Sequence, residues 1–141
     1  MVNKLVVKSR LALIHDHLSQ LKRHAEIGKE QFVEDKDKVA AVESYLRRSL
    51  EAIFDIGRHI LAKNGGIDLA AEYKGIAKGL GEKKIITREL AEALVEMAGY
   101  RNRLVHLYHQ IQNDELYDIL QADMGDIERF VHEIQQFLAK K

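Results

Sequence analysis

Arg101 stands where a leucine or methionine belongs. Helical spacing places Leu90, Leu94, Met97, Arg101, Leu104 and Tyr108 on one stripe. An arginine on a face meant for burial needs a carboxylate, a bound anion or a wet cleft, because its charge is costly to leave unpaired in apolar surroundings. Tyr108 follows one heptad later, nearly in line with it. On the adjoining face Asn102, His106 and His109 recur at i, i+4 and i+7, which stacks an amide and two imidazoles along one side. An imidazole with its ordinary pKa of about 6.5 exchanges protons at neutral pH. Arg101 and His106 are separated by about 140° around a straight helix. They converge only where the helix loosens or where a cleft is wide enough to be lined by both, and Gly99 could help re-aim Arg101. Plainer explanations stand beside this one: an ion pair from Arg101 to a carboxylate such as Asp55, a packing or surface role for His106, and core roles for Tyr100 and Tyr108. Of the histidines, His15 and His17 point apart on a helix and no His-Glu-x-x-His spacing occurs. His106 and His109 at i, i+3 would need an acid from another helix, and no metal site is assigned.

Four further segments must position this stripe. Val7, Leu11, Ile14, Leu18, Leu21 and Ala25 line one face of a first long helix, and Val39, Val42, Leu46, Leu50, Ile53, Gly57 and Ile60 repeat the pattern on a second. Glu34 to Lys38 form a polar connection, with Asp35 or Asp37 as N-cap. Gly57 on the second stripe permits close helix approach, and Asn64-Gly65-Gly66 suits a left-handed C-cap. Five of the nine glycines fall within 65–81, around a short helix expected near Ala71 to Leu80. Gly79-Leu80-Gly81 lacks the Gly-Lys-Ser/Thr ending and the preceding strand of a phosphate loop. Thr87 caps the helix that carries Arg101, with Glu89 in its first turn, where the dipole favours acids. Asn113 is expected to cap the last helix, whose apolar face is Leu116, Leu120, Met124, Ile127, Val131, Ile134 and Leu138, with an interruption near Asp123-Met124-Gly125. No strand-period segment of useful length and no internal repeat is present. The expectation is one all-α domain over 1–141, an up-and-down bundle of four or five helices.

Composition bounds the function classes. The chain has 141 residues, no Cys and no Pro, so disulfide scaffolds and thiolate metal sites are excluded. Lys plus Arg equals Asp plus Glu at 22 each. No global basic charge advertises nucleic acid, and any anionic ligand must be met by a local patch. Residues 1–33 nevertheless carry six Lys/Arg against three acids, and 112–141 carry seven acids against three Lys/Arg. Solvated helix faces account for that asymmetry most simply, though antiparallel or dimeric packing would exploit it. The longest unbroken apolar run is four residues, too short for a membrane span, and Lys4 and Lys8 interrupt any signal-peptide core. A cytoplasmic location and no membrane partner are expected.

The string Ala98-Gly99-Tyr100-Arg101-Asn102-Arg103-Leu104-Val105-His106-Leu107-Tyr108 resembles the signature of the HEPN superfamily. It has the Arg-x4-His form, a polar residue directly after the Arg and a Tyr two beyond the His. That arrangement is similar to the HepT-type toxin branch, the partners of minimal nucleotidyltransferase antitoxins. Tyr45-Leu46, the Ala52 to Ile60 segment with its Asp-Ile-x-x-His, Glu115-Leu116-Tyr117 and Asp126-Ile127-x-x-Phe130 resemble the same branch, so the likeness covers about residues 1–138. The sequence departs from it at Ile111-Gln112-Asn113, where the branch carries an Ile/Val-Asp pair, and no acid is assigned a role there.

The resemblance implies a metal-independent endoribonuclease that acts as a homodimer without a cofactor, with RNA as substrate. RNA supplies its own nucleophile, the 2′-OH, so the protein need only move protons and hold charge. Arg101 would grip phosphate oxygens through its planar fork, His106 would act as base or acid, and Asn102 would orient the imidazole or bind phosphate. Arg103 and Arg88 would add phosphate contacts at the rim. A twofold dimer would set two copies of His106 across one cleft. In that branch the nucleotidyltransferase antitoxin transfers AMP to the tyrosine of the motif, here Tyr108. The alternative is a non-catalytic RNA- or nucleotide-binding regulatory subunit of a nucleotidyltransferase complex; a third reading is a purely structural helical dimer.

Overall fold

The computed structural model describes residues 2–66, 72–105 and 111–140. They form helices only: α1 (Lys4–Ala25), α2 (Lys29–Glu34), α3 (Lys36–Lys63), α4 (Tyr73–Glu82), α5 (Arg88–Val105) and α6 (Asn113–Ala139). The all-α class is as expected, with one helix more than the periodicity indicated. The addition, α2, has a single buried anchor, Phe32, and one apolar contact leaves no period to read.

Each apolar stripe faces the interior. Val7, Leu11, Ile14, Leu18 and Leu21 of α1 are buried, as are Val42, Leu46, Leu50, Ile53, Gly57 and Ile60 of α3. The Asn3 N–H donates to Nε2 of His59 at 3.1 Å, and Gln121 reaches the Ala25 carbonyl at 2.8 Å. The start of α1 therefore meets the end of α3, and its end meets the start of α6, so α1 is antiparallel to both. The acidic and basic ends meet in two exposed pairs, Lys22–Glu128 and Lys29–Asp118, each at 2.9 Å. Being solvated, these orient more than they stabilise. α3 is the central element, packing on α1, α2, α4, α5 and α6.

Caps end the helices largely where the residue types indicate. Asp35 accepts from the N–H groups of Asp37 and Lys38, and Thr87 Oγ1 accepts from Leu90 N–H at 3.3 Å. Gly65 takes φ +76° and Gly66 N–H closes on the Leu61 carbonyl at 2.7 Å, which is the left-handed termination expected there. Two expectations are overturned. Asn113 is the first residue of α6 and not its cap; its amide donates instead to the Val33 carbonyl at 3.1 Å, pinning α6 to the end of α2. α6 also runs unbroken through Asp123-Met124-Gly125, because burial of Leu120, Ile127 and Phe130 on one face holds the turn that glycine would loosen.

Gly57 decides how α4 sits. A Cβ there would lie 2.6 Å from Ile76 Cγ2 and 3.0 Å from Leu80 Cδ1, so the bare backbone of α3 is the floor on which α4 rests. The seating brings Tyr73, the first residue of α4, to 5.2 Å from the Phe54 ring. Gly57→Val is expected to destabilise the protein by about 1–3 kcal/mol through overpacking, measured as a lower denaturation midpoint with an unchanged denaturant slope.

Candidate functional site

α5 carries the candidate residues. Its apolar stripe behaves as patterned over Leu90, Leu94 and Met97, all buried, and then reaches Arg101, which is half-buried. The Arg101 guanidinium lies over the Tyr73 ring, 4.2 Å from its centroid, a cation–π contact that fixes the plane of the fork. Its Nε is buried with no acceptor, and the side chain makes no hydrogen bond or ion pair with any described residue. The Asp55 explanation for Arg101 is thus overturned: Asp55 faces Arg10 across α1 and α3 at 4.0 Å, with both side chains well exposed. Asn102, on the next face of the helix, is exposed. His106, Tyr108 and His109 lie outside the described residues.

The two rim arginines are placed apart. Arg103 is held by Glu115 at the start of α6 in a two-pronged pair, 2.5 Å and 2.7 Å. That contact raises the Arg103 pKa and lowers the Glu115 carboxyl below its usual range, the direct hydrogen bonds being the largest cause in each case. Arg103 therefore ties the end of α5 to α6 before it offers anything to a ligand. Arg88 sits at the opposite end of α5, about 20 Å from Arg101 by helical rise, almost fully exposed and 3.4 Å from Glu92. The structure does not bring Arg88 to the Arg101 site.

Tyr73, which touches Arg101, carries no signal in the sequence. Arg58 of α3 reaches the same ring, its guanidinium carbon 5.6 Å from the centroid. Tyr73 belongs to no local motif, and Arg58 occupies a variable position of the Asp-Ile-x-x-His segment beside Gly57. Among the described residues no cluster of three or more histidine or acidic side chains is placed to hold a metal, and no helix is long and apolar enough to cross a membrane.

This stacked arginine, with no carboxylate on it among the described residues, sits inside an all-helical frame that other proteins share. The profile of the family described as "Ribonuclease HepT-like" matches residues 14–134. The chain belongs to the ribonuclease HepT-like family. Among curated members, a tRNA nuclease HepT of Aphanizomenon flos-aquae is 26% identical over 137 residues, covering 97% of this chain and 92% of that protein. An mRNA nuclease HepT of Shewanella oneidensis is 29% identical over 105 residues, 74% of this chain and 78% of that protein. Among solved structures, the tri-AMPylated Shewanella oneidensis HEPN toxin in complex with MNT antitoxin superposes with a TM-score of 0.81 at 26% identity, over 93% of this chain and 97% of that one. YutE of Bacillus subtilis, 19% identical with a TM-score of 0.82, shares the HepT-like fold.

Proposed function

We propose that this HepT-like chain is the toxin of a toxin–antitoxin pair, a metal-independent endoribonuclease that works as a homodimer. The observation that carries the reading is Arg101: a half-buried guanidinium stacked on Tyr73, with no ion pair to any described residue, can receive phosphodiester oxygens on its fork. The nuclease names of its relatives support it.

In the proposed reaction the 2′-oxygen of RNA attacks the adjacent phosphorus and the 5′-oxygen leaves, giving a 2′,3′-cyclic phosphate. A base takes the 2′-OH proton and an acid returns one to the departing oxygen. His106 serves one step, its copy in the partner protomer the other, which is why a twofold cleft lined by α5 of both chains suits a motif with one essential imidazole. Arg101 stabilises the extra negative charge of the phosphorane, and the exposed Asn102 orients His106 or the phosphate. Arg103 adds a rim contact only by sharing its guanidinium with Glu115, and Arg88 stands well away from the scissile bond.

Silencing is proposed to be covalent. The Tyr108 hydroxyl attacks the α-phosphate of ATP on a nucleotidyltransferase antitoxin; the phenolic proton is lost, pyrophosphate departs and AMP remains in phosphodiester linkage. The AMPylated Shewanella toxin in complex with its antitoxin supports this route. The added negative charge would occupy Arg101 and repel RNA phosphates without refolding.

The decisive experiment incubates the purified protein with single-stranded RNA in EDTA and assigns the product ends. Cleavage to cyclic phosphates by a dimer in the ultracentrifuge is expected. Binding without cleavage would favour the non-catalytic regulatory subunit. Treatment with the antitoxin and ATP is expected to add AMP to Tyr108, located by peptide mass spectrometry, and to stop cleavage. AMP on Tyr100 or Tyr117 alone, or silencing of Tyr108→Phe by covalent AMP, would sink the assignment.

A further inference from the structure

The turn between α4 and α5 and the end of α6 border a groove of about 570 Å³, at the end of α5 opposite Arg101. Lys84, Arg88 and Lys140 line it against one carboxylate, Glu133. That carboxylate is engaged inside the fold. It accepts from the Thr87 N–H at 2.7 Å and from the Thr87 hydroxyl at 3.2 Å, and it faces Arg129 at 3.6 Å. Arg88 lies 3.4 Å from Glu92, but both side chains are more than two-thirds exposed and water screens the pair. The side chains of Lys84 and Lys140 are exposed and make no hydrogen bond or ion pair with any described residue. The chain is neutral overall, so the groove is a local excess of positive charge of the kind that draws an anion to one face of a neutral protein.

Lys84 also holds an unusual backbone. Its φ is +58°, the left-handed conformation that closes α4 by bringing the Ile85 N–H to the Leu80 carbonyl at 3.0 Å. Glycine takes that conformation without strain and lysine does not. A strained position thus carries a long cation whose charge has no partner in the described fold. His132 adds an exposed imidazole to the groove, and Ile86 and Phe137 give it an apolar wall. Interfaces between proteins are depleted in lysine, whereas a phosphodiester backbone is met by cations that need no fixed geometry. The groove therefore fits RNA better than an acidic protein face. Arg88 stands about 20 Å from Arg101 along α5 and about 220° around it. A strand gripped at Arg101 reaches the groove only by crossing the helix, so the ligand there is another part of a folded RNA.

We propose that this groove is a second RNA-binding site, in which Lys84, Arg88 and Lys140 hold the backbone of a folded RNA whose scissile strand sits at Arg101. The inference rests on the ribonuclease reading above and adds to it a preference for RNA with a structured body over a short single strand. The three cations touch no reacting atom. They act on binding and on which strand is presented, not on the chemical step.

The test uses the whole chain and a hairpin RNA with 2′-O-methyl riboses, which lacks the nucleophile and binds without turnover. The double variant Lys84→Gln/Lys140→Gln is expected to bind the hairpin about thirtyfold more weakly at physiological salt. The slope of log affinity against log salt should fall by about 1.8, the share of two duplex phosphates. Lys84→Arg/Lys140→Arg should keep the slope. Affinity for a short single strand should change far less, because such a strand occupies Arg101 alone. With a cleavable hairpin the KM should rise and kcat should change far less. Lys84→Gly separates binding from folding: the salt slope should fall by about 0.9 while the protein melts about 2–4 °C higher, the backbone strain being relieved. Unchanged hairpin affinity and salt slope overturn the proposal, and a loss confined to antitoxin binding would assign the groove to a protein instead. A loss as large on the short strand also overturns it, because the lysines would then belong to the Arg101 site. If the wild-type protein bound no RNA, the ribonuclease reading would fall with it; RNA cleavage intact with no role for the lysines would remove this inference alone.

Discussion

Alanine at Arg101 or at His106 is expected to lower RNA cleavage by about three orders of magnitude and to leave the fold intact. For Arg101 the loss is of charge stabilisation at the phosphorane, which Arg103 does not replace because Glu115 engages it. The stability cost is small because two contributions oppose each other. The stacked cation contributes about 0.5–2 kcal/mol, while its buried Nε, which has no acceptor, carries a penalty of about 1–3 kcal/mol. Arg101→Lys keeps the charge and loses the fork, so partial recovery is expected. For His106 the loss is of proton transfer at the 2′- or 5′-oxygen. Initial rates on a fluorescent RNA, with helical circular dichroism and a thermal melt on each variant, provide the check. EDTA should change none of the rates. Cleavage stopped by EDTA and restored by Mg²⁺ would defeat the metal-free mechanism, and an Arg101→Ala enzyme of near-normal rate would remove the receptor role.

Asp123→Asn is expected to raise stability at pH 8 by about 2–4 kcal/mol. Asp123 sits on the buried face of α6 and is only 6% exposed, and its Oδ2 has no hydrogen-bond partner. Burial, followed by the charges of Asp126 on the same helix and Glu96 on α5, pushes its carboxyl up to about 7. Tyr100 of α5 shows the reciprocal effect: burial first, then Asp123, raises its phenol. The sign follows from proton binding. The folded state holds this proton more tightly than the unfolded chain, whose carboxyl titrates near the ordinary 3.8. The penalty is therefore absent below that value, grows as pH rises toward about 7, and is complete above it. The amide carries no charge, so the variant should melt roughly 6–12 °C higher at pH 8 and show a much smaller gain at pH 5. Equal gains at both values would mean that Asp123 does not titrate in this window.

Asp123 also marks where reading the residues stopped short. Its neighbours Met124 and Gly125 suggest a break in the helix, yet the segment is continuous and the acid faces inward. Local composition carries no term for what α5 places opposite. The same holds for Asn113, whose type suits a cap but whose amide finds the Val33 carbonyl of a segment eighty positions earlier. Asp35, Thr87 and Gly65 were legible because their hydrogen bonds and dihedrals lie within a few residues of themselves. α2 escaped notice for a related reason, since six residues with one buried anchor make no period.

The sequence by itself determined the helical class, the long stripes, most of the caps and the anomaly at Arg101. Each depends on spacing along the chain, and helical geometry converts spacing directly into a shared face. It also carries the string from Arg101 to Tyr108 that resembles the HepT-type signature. Only the tertiary structure decided what Arg101 faces. Tyr73 comes from another helix, which packs close to α3 because Gly57 has no side chain to hold it off. The structure likewise gave Arg103 to Glu115 and set Arg88 at the far end of α5. Contacts between distant segments depend on how closely helices approach and at what angle, and packing sets both.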